Sequence, residues 1–450
     1  MSKDVKIRKG TNIKLKGVAE KLYANPVQVS DVVLRPDDFP NLIPKLCVKL
    51  GDKVKAGSPL FYDKGNEQIL FTSPISGEVV EINRGDKRRL LEVKVKADGA
   101  NQFETFKQGD PNSLSKEEIL ATILKSGVWP FFRQRPYDVI ANPSDSPKAI
   151  YITAMDTAPL APDYDFVMHG QDELFQIGLD AIAKLTDGKV HLNVNGNDNP
   201  DDAYKKAKNV QINKISGPHP AGNVGVQIHH IDPVNKGEVV WTLKSLDVLT
   251  IGKLFKEGKF DASRVISFVG SKVNAPKYVR TILGANISGI VTGNVEDGGR
   301  YISGNPLSGK QIPENGYLGF YDYQLTVLPE GGNTQFFGWL PFTGLNKFSL
   351  SRTALSFLTP NKTYDLNTNV NGEERAYVVT GEYEKVFPMD IYPVQLVKSM
   401  MIEDIDKMEA LGVYEVAPED FALCEFACTS KIEVQRVVRE ALDLVRKECS

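Results

Sequence analysis

The sequence predicts a multidomain protein that combines α+β and α/β regions. The chain has 450 residues, and domains of roughly 100–200 residues would divide that length into several units. Short apolar runs separated by glycine, proline and aspartate turns fill the N-terminal quarter, which is typical of β structure. Strand-like and helix-like segments alternate through the middle, as in a parallel α/β sheet. The C-terminal segment carries apolar side chains at helical spacing.

Residues 1–100 are expected to form a barrel-sandwich hybrid domain. Leu46–Leu60 and Ile69–Ile82 are two strand-rich stretches broken by turns. Within them, Gly51–Gly57 paired with Ser73–Val79 resembles the biotinyl/lipoyl type of this fold. A segment rich in Asp, Gly, Asn and Ser follows and predicts a linker to the next domain.

Residues 112–245 are expected to form a Rossmann-like α/β domain. Ser115 and Glu118 have the spacing of a capping box at the start of a helix, and Gly127 is expected to end that helix. Further apolar runs predict, in order, a strand, a helix and two more strands: Ala149–Ala154, Leu174–Leu185, Val190–Val194 and Val239–Leu243.

Residues 246–330 are expected to form a module of the SLBB or β-grasp type, because short strands and glycine turns dominate there. The sequence predicts one short helix within this module, at Tyr278–Leu283. Residues 331–392 are expected to be irregular and to return in part to the N-terminal β region. Strands are predicted at Tyr323–Gly331 and Glu374–Pro388.

Composition excludes several classes of protein. Lys and Arg number 54 against 57 Asp and Glu, which gives a formal net charge of −3. A general nucleic-acid binder would show a basic excess, so we expect no nucleic-acid partner. No apolar stretch reaches the ~18 residues of a transmembrane helix, and the charged start of the chain predicts no signal peptide. Four scattered cysteines fit a reducing compartment better than a disulfide framework.

Residues 393–450 are expected to form a helical domain that resembles a degenerate iron–sulfur domain. Cys424 and Cys428 resemble the second half of a ferredoxin-type run of four cysteines. A [4Fe–4S] cluster needs four such ligands, and the two missing positions hold Pro418 and Phe421. We therefore expect no metal here. The alternative interpretation, two buried free thiols at a helix end, predicts the same structure.

The α/β region lacks a clear flavin site. Gly217–Gly225 is its densest glycine–proline motif, but it is not G-x-G-x-x-G, and no strand–glycine–helix arrangement is evident around it. The Gly217–Gly225 motif resembles a stretch of the C subunit of the Rnf complex, a protein that binds flavin and NADH and that this chain resembles. Ser126–Pro136 lies where such relatives have glycines that admit the FMN phosphate. Large side chains replace those glycines here: Trp129, Phe131, Phe132, Arg133 and Arg135.

Several blocks, in order along the chain, resemble the NqrA family, which supplies one subunit of the Na+-translocating NADH:quinone oxidoreductase. The main blocks are Val79–Gly85, Val128–Pro136, Ile152–Ala161 and Gly217–Gly225. The resemblance covers essentially the whole chain. It implies a peripheral subunit on the cytoplasmic face of the bacterial inner membrane, within a six-subunit complex. That complex passes electrons from NADH to quinone and pumps Na+.

The resemblance also implies that this chain holds no FMN, no iron–sulfur cluster and no catalytic residues of its own. The Ser-Gly-Ala-Thr tetrapeptide that carries covalent FMN in flavin-bearing subunits is absent from the sequence. Quinone is the one ligand we expect. Two alternatives remain open at this point: a soluble Rnf-type flavin and iron–sulfur electron-transfer protein, and a pure scaffold that never contacts quinone.

Two groups of residues are candidates for quinone contact. The first is the aromatic and arginine segment, in which aromatic faces can stack on a quinone ring and guanidinium groups can bind its oxygens. Its alternative is a filled flavin pocket held by arginine–carboxylate pairs.

The second group is His219, His229 and His230, since an imidazole with a pKa near ~6.5 can hydrogen-bond a quinone carbonyl and donate a proton. Adjacent His229 and His230 on a strand would point to opposite faces, so they are not expected to share a metal. Hydrogen bonding within the fold is the simpler alternative for all three.

Overall fold

The N-terminal strands are short and rich in Val, Leu and Phe. The structure, a computed structural model, describes residues 2–332, 336–338, 340 and 347–449. Its first eight strands are β1 (Asp4–Lys6), β2 (Asp31–Leu34), β3 (Pro44–Leu46), β4 (Lys53–Val54), β5 (Pro59–Asp63), β6 (Asn66–Thr72), β7 (Gly77–Arg84) and β8 (Leu90–Ala97). One sheet has the order β2-β8-β7-β4 and another the order β3-β5-β6. Apolar side chains of both sheets share one core, as a barrel-sandwich arrangement requires.

Strand β1 departs from the expectation that the first hundred residues form one β region. It pairs in parallel with a strand of the following α/β domain, with Val5 opposite Ile215. The N-terminus therefore extends the sheet of the second domain rather than the barrel.

The middle of the chain forms the predicted α/β sheet. Its further strands are β9 (Arg133–Arg135), β10 (Val139–Ile140), β11 (Ala149–Ala154), β12 (Lys189–Asn195), β13 (Gln211–Ser216) and β14 (Val240–Lys244). Its helices are α1 (Lys116–Ser126), α2 (Tyr164–Met168), α3 (Asp172–Ala183), α4 (Asp202–Lys205), α5 (Val224–Ile231) and α6 (Ser245–Glu257). The seven strands run in the order β1-β13-β12-β11-β14-β9-β10. Pairing is parallel from β1 to β14 and antiparallel at β9 and β10.

Both faces of the central strand β11 are buried, which explains why it is a continuous apolar run. Alternate residues of a strand point to opposite faces. Ile150 and Ile152 join the core that also contains residues of α3 and α6. Tyr151 joins a second core that contains α5 and the C-terminal helices. The sheet is therefore the layer between two apolar cores.

Helix α1 begins and ends as the sequence predicts. The Ser115 hydroxyl accepts a hydrogen bond from the backbone N–H of Glu118, and the Glu118 carboxylate accepts one from the N–H of Ser115. Gly127 ends the helix with φ of 78°, a left-handed conformation that glycine adopts without steric cost.

The third region contains five strands: β15 (Ser263–Val269), β16 (Lys277–Ile282), β17 (Gly299–Ser303), β18 (Lys310–Ile312) and β19 (Gln324–Pro329). They form one sheet in the order β16-β15-β19-β17-β18. The helix predicted at Tyr278–Leu283 was wrong, because this segment is strand β16 and pairs antiparallel with β15. The short helix of the region is α7 (Ser288–Val291). Strand β19 confirms the strand predicted at Tyr323–Gly331.

The segment that follows β19 is mostly without regular structure where it is described. Tyr364 forms an isolated parallel bridge with Leu15, so this segment does contact the N-terminal stretch. The strand predicted at Glu374–Pro388 was wrong. Its first part is irregular chain, tied by a hydrogen bond from Arg375 N to Ser430 O, and its second part is helix α8 (Glu382–Val386).

The C-terminal region is helical, as predicted. Its helices are α9 (Pro393–Met401), α10 (Ile405–Ala410), α11 (Ala422–Ala427) and α12 (Val434–Cys449). The methionines Met400 and Met408 are buried among its apolar side chains. Among the described residues, no helix is both long and apolar enough to cross a membrane.

Candidate functional site

The carboxyl ends of strands β11 and β13 lie at one edge of the sheet, and the two loops that leave them meet there. Thr157 follows β11, and its hydroxyl accepts a hydrogen bond of 2.8 Å from the N–H of Gly222 in the second loop. A Cβ on Gly222 would lie 2.5 Å from the Thr157 nitrogen, so only glycine allows this approach. The second loop joins β13 directly to α5. The expectation that no strand–glycine–helix arrangement surrounds Gly217–Gly225 was therefore wrong.

His219 lies in this second loop and is held by both loops and the N-terminal segment. Its backbone N–H donates to Asn12 Oδ1 at 2.8 Å, and its Nδ1 lies 3.2 Å from the Thr157 hydroxyl. That hydroxyl accepts from Gly222, and in the tautomer in which it donates to Nδ1 the ring hydrogen of His219 is on Nε2. The Nε2 atom is buried and has no hydrogen-bond partner. In that tautomer, His219 carries an unused donor at the sheet edge.

Burial keeps His219 neutral. The side chain is 4% exposed, and burial lowers the pKa of His219 to about 4, with Asp156 opposing the shift. A neutral imidazole at physiological pH can donate a hydrogen bond without carrying charge. The sequence pattern did not single out Thr157 as a partner of His219, since 62 positions separate the two residues.

His229 and His230 lie on helix α5, so the expectation that they lie on a strand was wrong. His229 accepts a hydrogen bond of 2.9 Å from the Asp390 N–H at Nε2, and its Nδ1 lies 2.7 Å from the Glu415 carboxylate. Nδ1 of His230 lies 2.9 Å from the Val226 carbonyl, one turn earlier. Both ring nitrogens of His229 are therefore engaged within the fold.

The aromatic residues of the Trp129–Pro136 segment lie in the core. Trp129 and Phe132 are 0% exposed and stack on each other, and Phe131 is also buried. The Trp129 Nε1–H donates to the Ala141 carbonyl at 2.7 Å. None of these three rings has an exposed face on which a quinone could stack. The geometry favours the alternative interpretation, in which these rings fill the space.

Arg135 joins the α/β sheet to the helical domain. The side chain is 1% exposed, and its guanidinium nitrogens pair with Glu419 at 2.8 Å, Asp420 at 3.3 Å and Asp138 at 3.5 Å. Burial alone would lower the pKa of Arg135, but these three carboxylates outweigh it and raise the pKa. We call this set, Arg135 with Asp138, Glu419 and Asp420, the Arg135 cluster.

The pKa values of the two buried aspartates in the Arg135 cluster shift in opposite directions. Burial raises the pKa of Asp138, but Arg133, Arg135 and Arg439 outweigh it and lower the pKa. Burial raises the pKa of Asp420 to about 7, with Arg135 opposing. Arg133 pairs with Asp138 and also lies 4.9 Å above the Tyr321 ring. The sequence did not predict the carboxylates from the helical domain, which are 284 and 285 positions away.

The cysteine segment contains two free thiols. Cys424 and Cys428 are buried and unbonded to each other; Cys424 lies within helix α11, and Cys428 directly follows it. Burial raises the pKa of Cys424 well above its usual value, so it stays a thiol. Phe421 is buried beside them, and Pro418 begins the short 3-10 turn before the helix. Among the described residues, no three His, Cys, Asp or Glu side chains are grouped as a metal site would require.

The fold and the site define a multidomain α+β protein whose α/β sheet is closed on one face by a C-terminal helical domain. Three stretches match domains of one family. Residues 5–98 match its "NqrA N-terminal barrel-sandwich hybrid domain", residues 114–260 its "NqrA second alpha/beta domain", and residues 265–314 its "NQRA C-terminal domain".

Relatives that match along the whole chain share one name. The chain is 38% identical to the A subunit of the Na(+)-translocating NADH-quinone reductase of Yersinia pseudotuberculosis, over 99% of this chain and 100% of the relative. It is 39% identical to the protein of the same name from Pasteurella multocida, with the same coverage. The chain therefore belongs to the NqrA family, whose members are subunits of the Na+-translocating NADH-quinone reductase, an oxidoreductase complex. The resemblance seen in the sequence is confirmed.

A solved structure of an NAD+-reducing [NiFe]-hydrogenase in the air-oxidized state also matches part of the fold. The match has a TM-score of 0.34 at 14% identity and covers 49% of this chain and 48% of that chain. A likeness this slight supports no argument about function.

Proposed function

We propose that this chain is a peripheral subunit of a sodium-pumping NADH–quinone reductase on the cytoplasmic face of the bacterial inner membrane. In this role it supports electron transfer from NADH to quinone that is coupled to Na+ transport. Its partners are the other subunits of a six-subunit complex. The observation that carries the proposal is the relatedness to NqrA proteins over 99% of the chain.

The complex itself provides the test. Membranes from a strain that lacks this chain are compared with membranes from the same strain complemented by an affinity-tagged copy. We expect the tagged chain to purify with membrane subunits in mild detergent and to restore Na+-stimulated NADH–quinone activity. Full Na+-stimulated activity in the deletion strain would contradict the proposal.

We further propose that the chain holds no FMN and no iron–sulfur cluster, although its α/β domain is Rossmann-like and its helical domain is a degenerate iron–sulfur domain. The order β13-β12-β11-β14 corresponds to 3-2-1-4 in chain order, as in doubly wound dinucleotide-binding folds. The donor sets do not fit the cofactors, since two thiols stand where a cubane needs four ligands. Trp129 and Phe132 also occupy core positions in the segment expected to approach a flavin phosphate.

The visible spectrum of the purified chain tests this proposal against the Rnf-type alternative. We expect no visible flavin bands and no broad iron–sulfur absorbance, even after anaerobic purification with added iron, sulfide and FMN. Stoichiometric flavin or iron would favour a soluble electron-transfer protein instead.

Finally, we propose that quinone contact in this chain is made through His219. Of the three candidate histidines, it is the one that carries a buried ring nitrogen without a hydrogen-bond partner. A buried unpaired donor costs about 1–3 kcal/mol, and a quinone carbonyl would satisfy it. His219, on the loop after β13, contacts Thr157 at the carboxyl end of β11. Strand order reverses between β11 and β14, and ligands of open α/β sheets bind outside the carboxyl ends of strands at such a point.

A quinone-analogue titration followed by tryptophan fluorescence tests the role of His219. Trp241 lies on β14, opposite Ile150 near the amino end of β11, so its fluorescence reports binding without direct contact between its ring and the ligand. We expect saturable quenching in the tens of micromolar, which corresponds to about −6 kcal/mol. His219→Gln should weaken the affinity about tenfold. His229→Gln is the matched control and should leave the affinity unchanged, because both nitrogens of that ring are engaged elsewhere. No saturable quenching in any variant would favour the pure scaffold.

A further inference from the structure

A cavity of about 880 Å³ lies where the first three structural regions meet. Residues 26–30 and 96–97 of the barrel-sandwich region form one wall, and helix α6 of the α/β domain forms another. Strands β15 and β16 form the third. His219, Asp156 and Thr157 do not line it, so it is separate from the sheet edge proposed to contact quinone.

The charged lining of this cavity is entirely positive. Four cationic side chains line it, namely Lys96, Lys253, Arg264 and Arg280, and no Asp or Glu is among the described residues of the lining. Lys253 pairs with Asp261 at 2.7 Å, outside the lining. In the described part of the chain, Lys96 and Arg280 form no ion pair, and Arg264 is attracted by the buried carboxylate of Asp247, which lies outside the lining. The lining therefore carries a net positive charge that an anion would neutralise.

Two buried polar side chains lie side by side in the cavity wall. Arg264 on β15 is directly opposite Thr281 on β16, so their side chains are neighbours on one face of the sheet. Arg264 is 9% exposed and is fixed by hydrogen bonds from Nη1 to the carbonyls of Phe320 and Asp322, at 2.9 and 3.1 Å. Its guanidinium also lies 4.7 Å above the Tyr323 ring.

Thr281 provides the second, independent indication of a ligand. It is 5% exposed, and its hydroxyl oxygen is buried without a hydrogen-bond partner. Buried hydroxyls are normally paired, so an unpaired one beside a fixed guanidinium needs an explanation. An oxyanion placed between them would accept from both groups.

The remaining walls of the cavity indicate the chemical character of the rest of the ligand. Val27, Val29, Leu249 and Ile282 provide apolar surface, and Arg280 stacks 4.6 Å from the Tyr23 ring at the rim. A volume of about 880 Å³ is far larger than one phosphate ion needs and lies within the ~300–1,000 Å³ range of small-molecule sites. We propose that this cavity binds an organic phosphate with an apolar body, whose phosphate group lies between Arg264 and Thr281.

Such a phosphate has two sources, a membrane phospholipid or a water-soluble metabolite, and the experiment separates them. Isothermal titration calorimetry on the full chain uses three probes: dihexanoyl phosphatidic acid below its micelle concentration, phenyl phosphate, and inorganic phosphate. We expect one saturable site per chain for the lipid probe or for phenyl phosphate, with at least tenfold weaker binding of inorganic phosphate. Tighter binding of the lipid probe identifies a phospholipid, and tighter binding of phenyl phosphate identifies a soluble ligand.

Two variants locate the binding in the cavity. Thr281→Val removes the unpaired hydroxyl at nearly constant shape, so it should leave the melting temperature unchanged or raise it while weakening binding about tenfold. Arg280→Gln removes an exposed charge and should weaken binding and reduce its salt dependence. Arg436→Gln, at an exposed position on α12, is the matched control and should change neither.

Three results would overturn the proposal. They are the absence of saturable binding of all three probes, equal affinity for inorganic phosphate and the organic probes, and unchanged binding in both Thr281→Val and Arg280→Gln. Because Thr281→Val is expected not to lower stability, a loss of binding in a folded variant cannot be attributed to misfolding.

Discussion

The two buried polar regions beside the α/β sheet differ in how completely their groups are paired. At the contact with the helical domain, three carboxylates balance the charge of Arg135, although Arg135 Nε and Asp420 Oδ1 have no hydrogen-bond partner, and His229 uses both ring nitrogens. At the sheet edge, His219 has one nitrogen engaged and one buried without a partner. Paired groups of this kind hold domains together, whereas an unpaired buried donor is retained at a cost to stability. The difference separates structural polar residues from a candidate ligand site.

The largest expected effect is at Arg135. Arg135→Met leaves Asp420 buried without its cation, whereas Asp138 keeps Arg133, and the loss should lower the free energy of unfolding by about 3–5 kcal/mol. Urea unfolding measures the change. Adding Asp420→Asn to the same chain should recover part of the loss, because the uncompensated buried charge is then removed. A loss below about 1 kcal/mol in the single variant would mean that this contact does not depend on the charges.

A pH-dependent effect should follow from His219. Its pKa is about 4 in the folded chain against ~6.5 when unfolded, so below pH 6.5 the unfolded state binds a proton that the folded state does not. Stability should therefore fall as pH drops from about 6.5 to 4, by about 3 kcal/mol at ~1.4 kcal/mol per pKa unit.

Other groups titrate in the same range, so the His219 effect is measured as a difference. Burial also lowers the pKa of His191 to about 4 and acts in the same direction. Asp420, with its pKa raised to about 7, acts oppositely and loses stability as pH rises from about 4 to 7. Subtracting the stability curve of His219→Gln from that of the unmodified chain isolates the contribution of His219. A flat difference curve would show that His219 is not kept neutral by burial.

A smaller effect is expected at His229. His229→Leu removes the hydrogen bond to Glu415 and leaves the Asp390 N–H without its acceptor, which should lower stability by about 1–3 kcal/mol. Thermal unfolding followed by circular dichroism measures it. If His229→Leu is as well tolerated as His219→Leu, the distinction between the paired and unpaired regions fails.

The smallest effect is expected at a site that belongs to neither region. Ser115→Ala removes the cap of helix α1 and should cost about 1 kcal/mol. The same urea titration measures this change, which serves as a reference for the stability changes of the other variants. Ser115→Asp keeps the cap and should remain close to the original stability.

Local patterns predicted the elements that local forces determine. The Ser115–Glu118 box and Gly127 marked the ends of α1, and the apolar runs Ala149–Ala154 and Val190–Val194 marked central strands. All of these depend on neighbours within a few positions. The α/β sheet was predictable for this reason.

Predictions failed where distant partners decide the structure. Tyr278–Leu283 has an apolar spacing compatible with a short helix, but its backbone pairs with β15 and makes it a strand. The two adjacent histidines were expected on a strand, yet they lie on α5, which packs against the C-terminal helices. The Arg135 cluster combines residues 284 and 285 positions apart, and no local pattern indicates such pairs. The assignment of quinone contact to the aromatic segment stays a prediction.

The placement of β1 has a consequence for the synthesis of the chain. Lys3 is hydrogen-bonded to Asn213, 210 positions later, so β1 is paired only after most of the second domain exists. At ~5–20 residues per second, the ribosome takes roughly 10–40 s to produce its partner. The nascent β1 segment has no strand partner while the barrel is made behind it. A change that blocks β1 would therefore interfere late, at closure of the sheet, rather than during folding of the barrel.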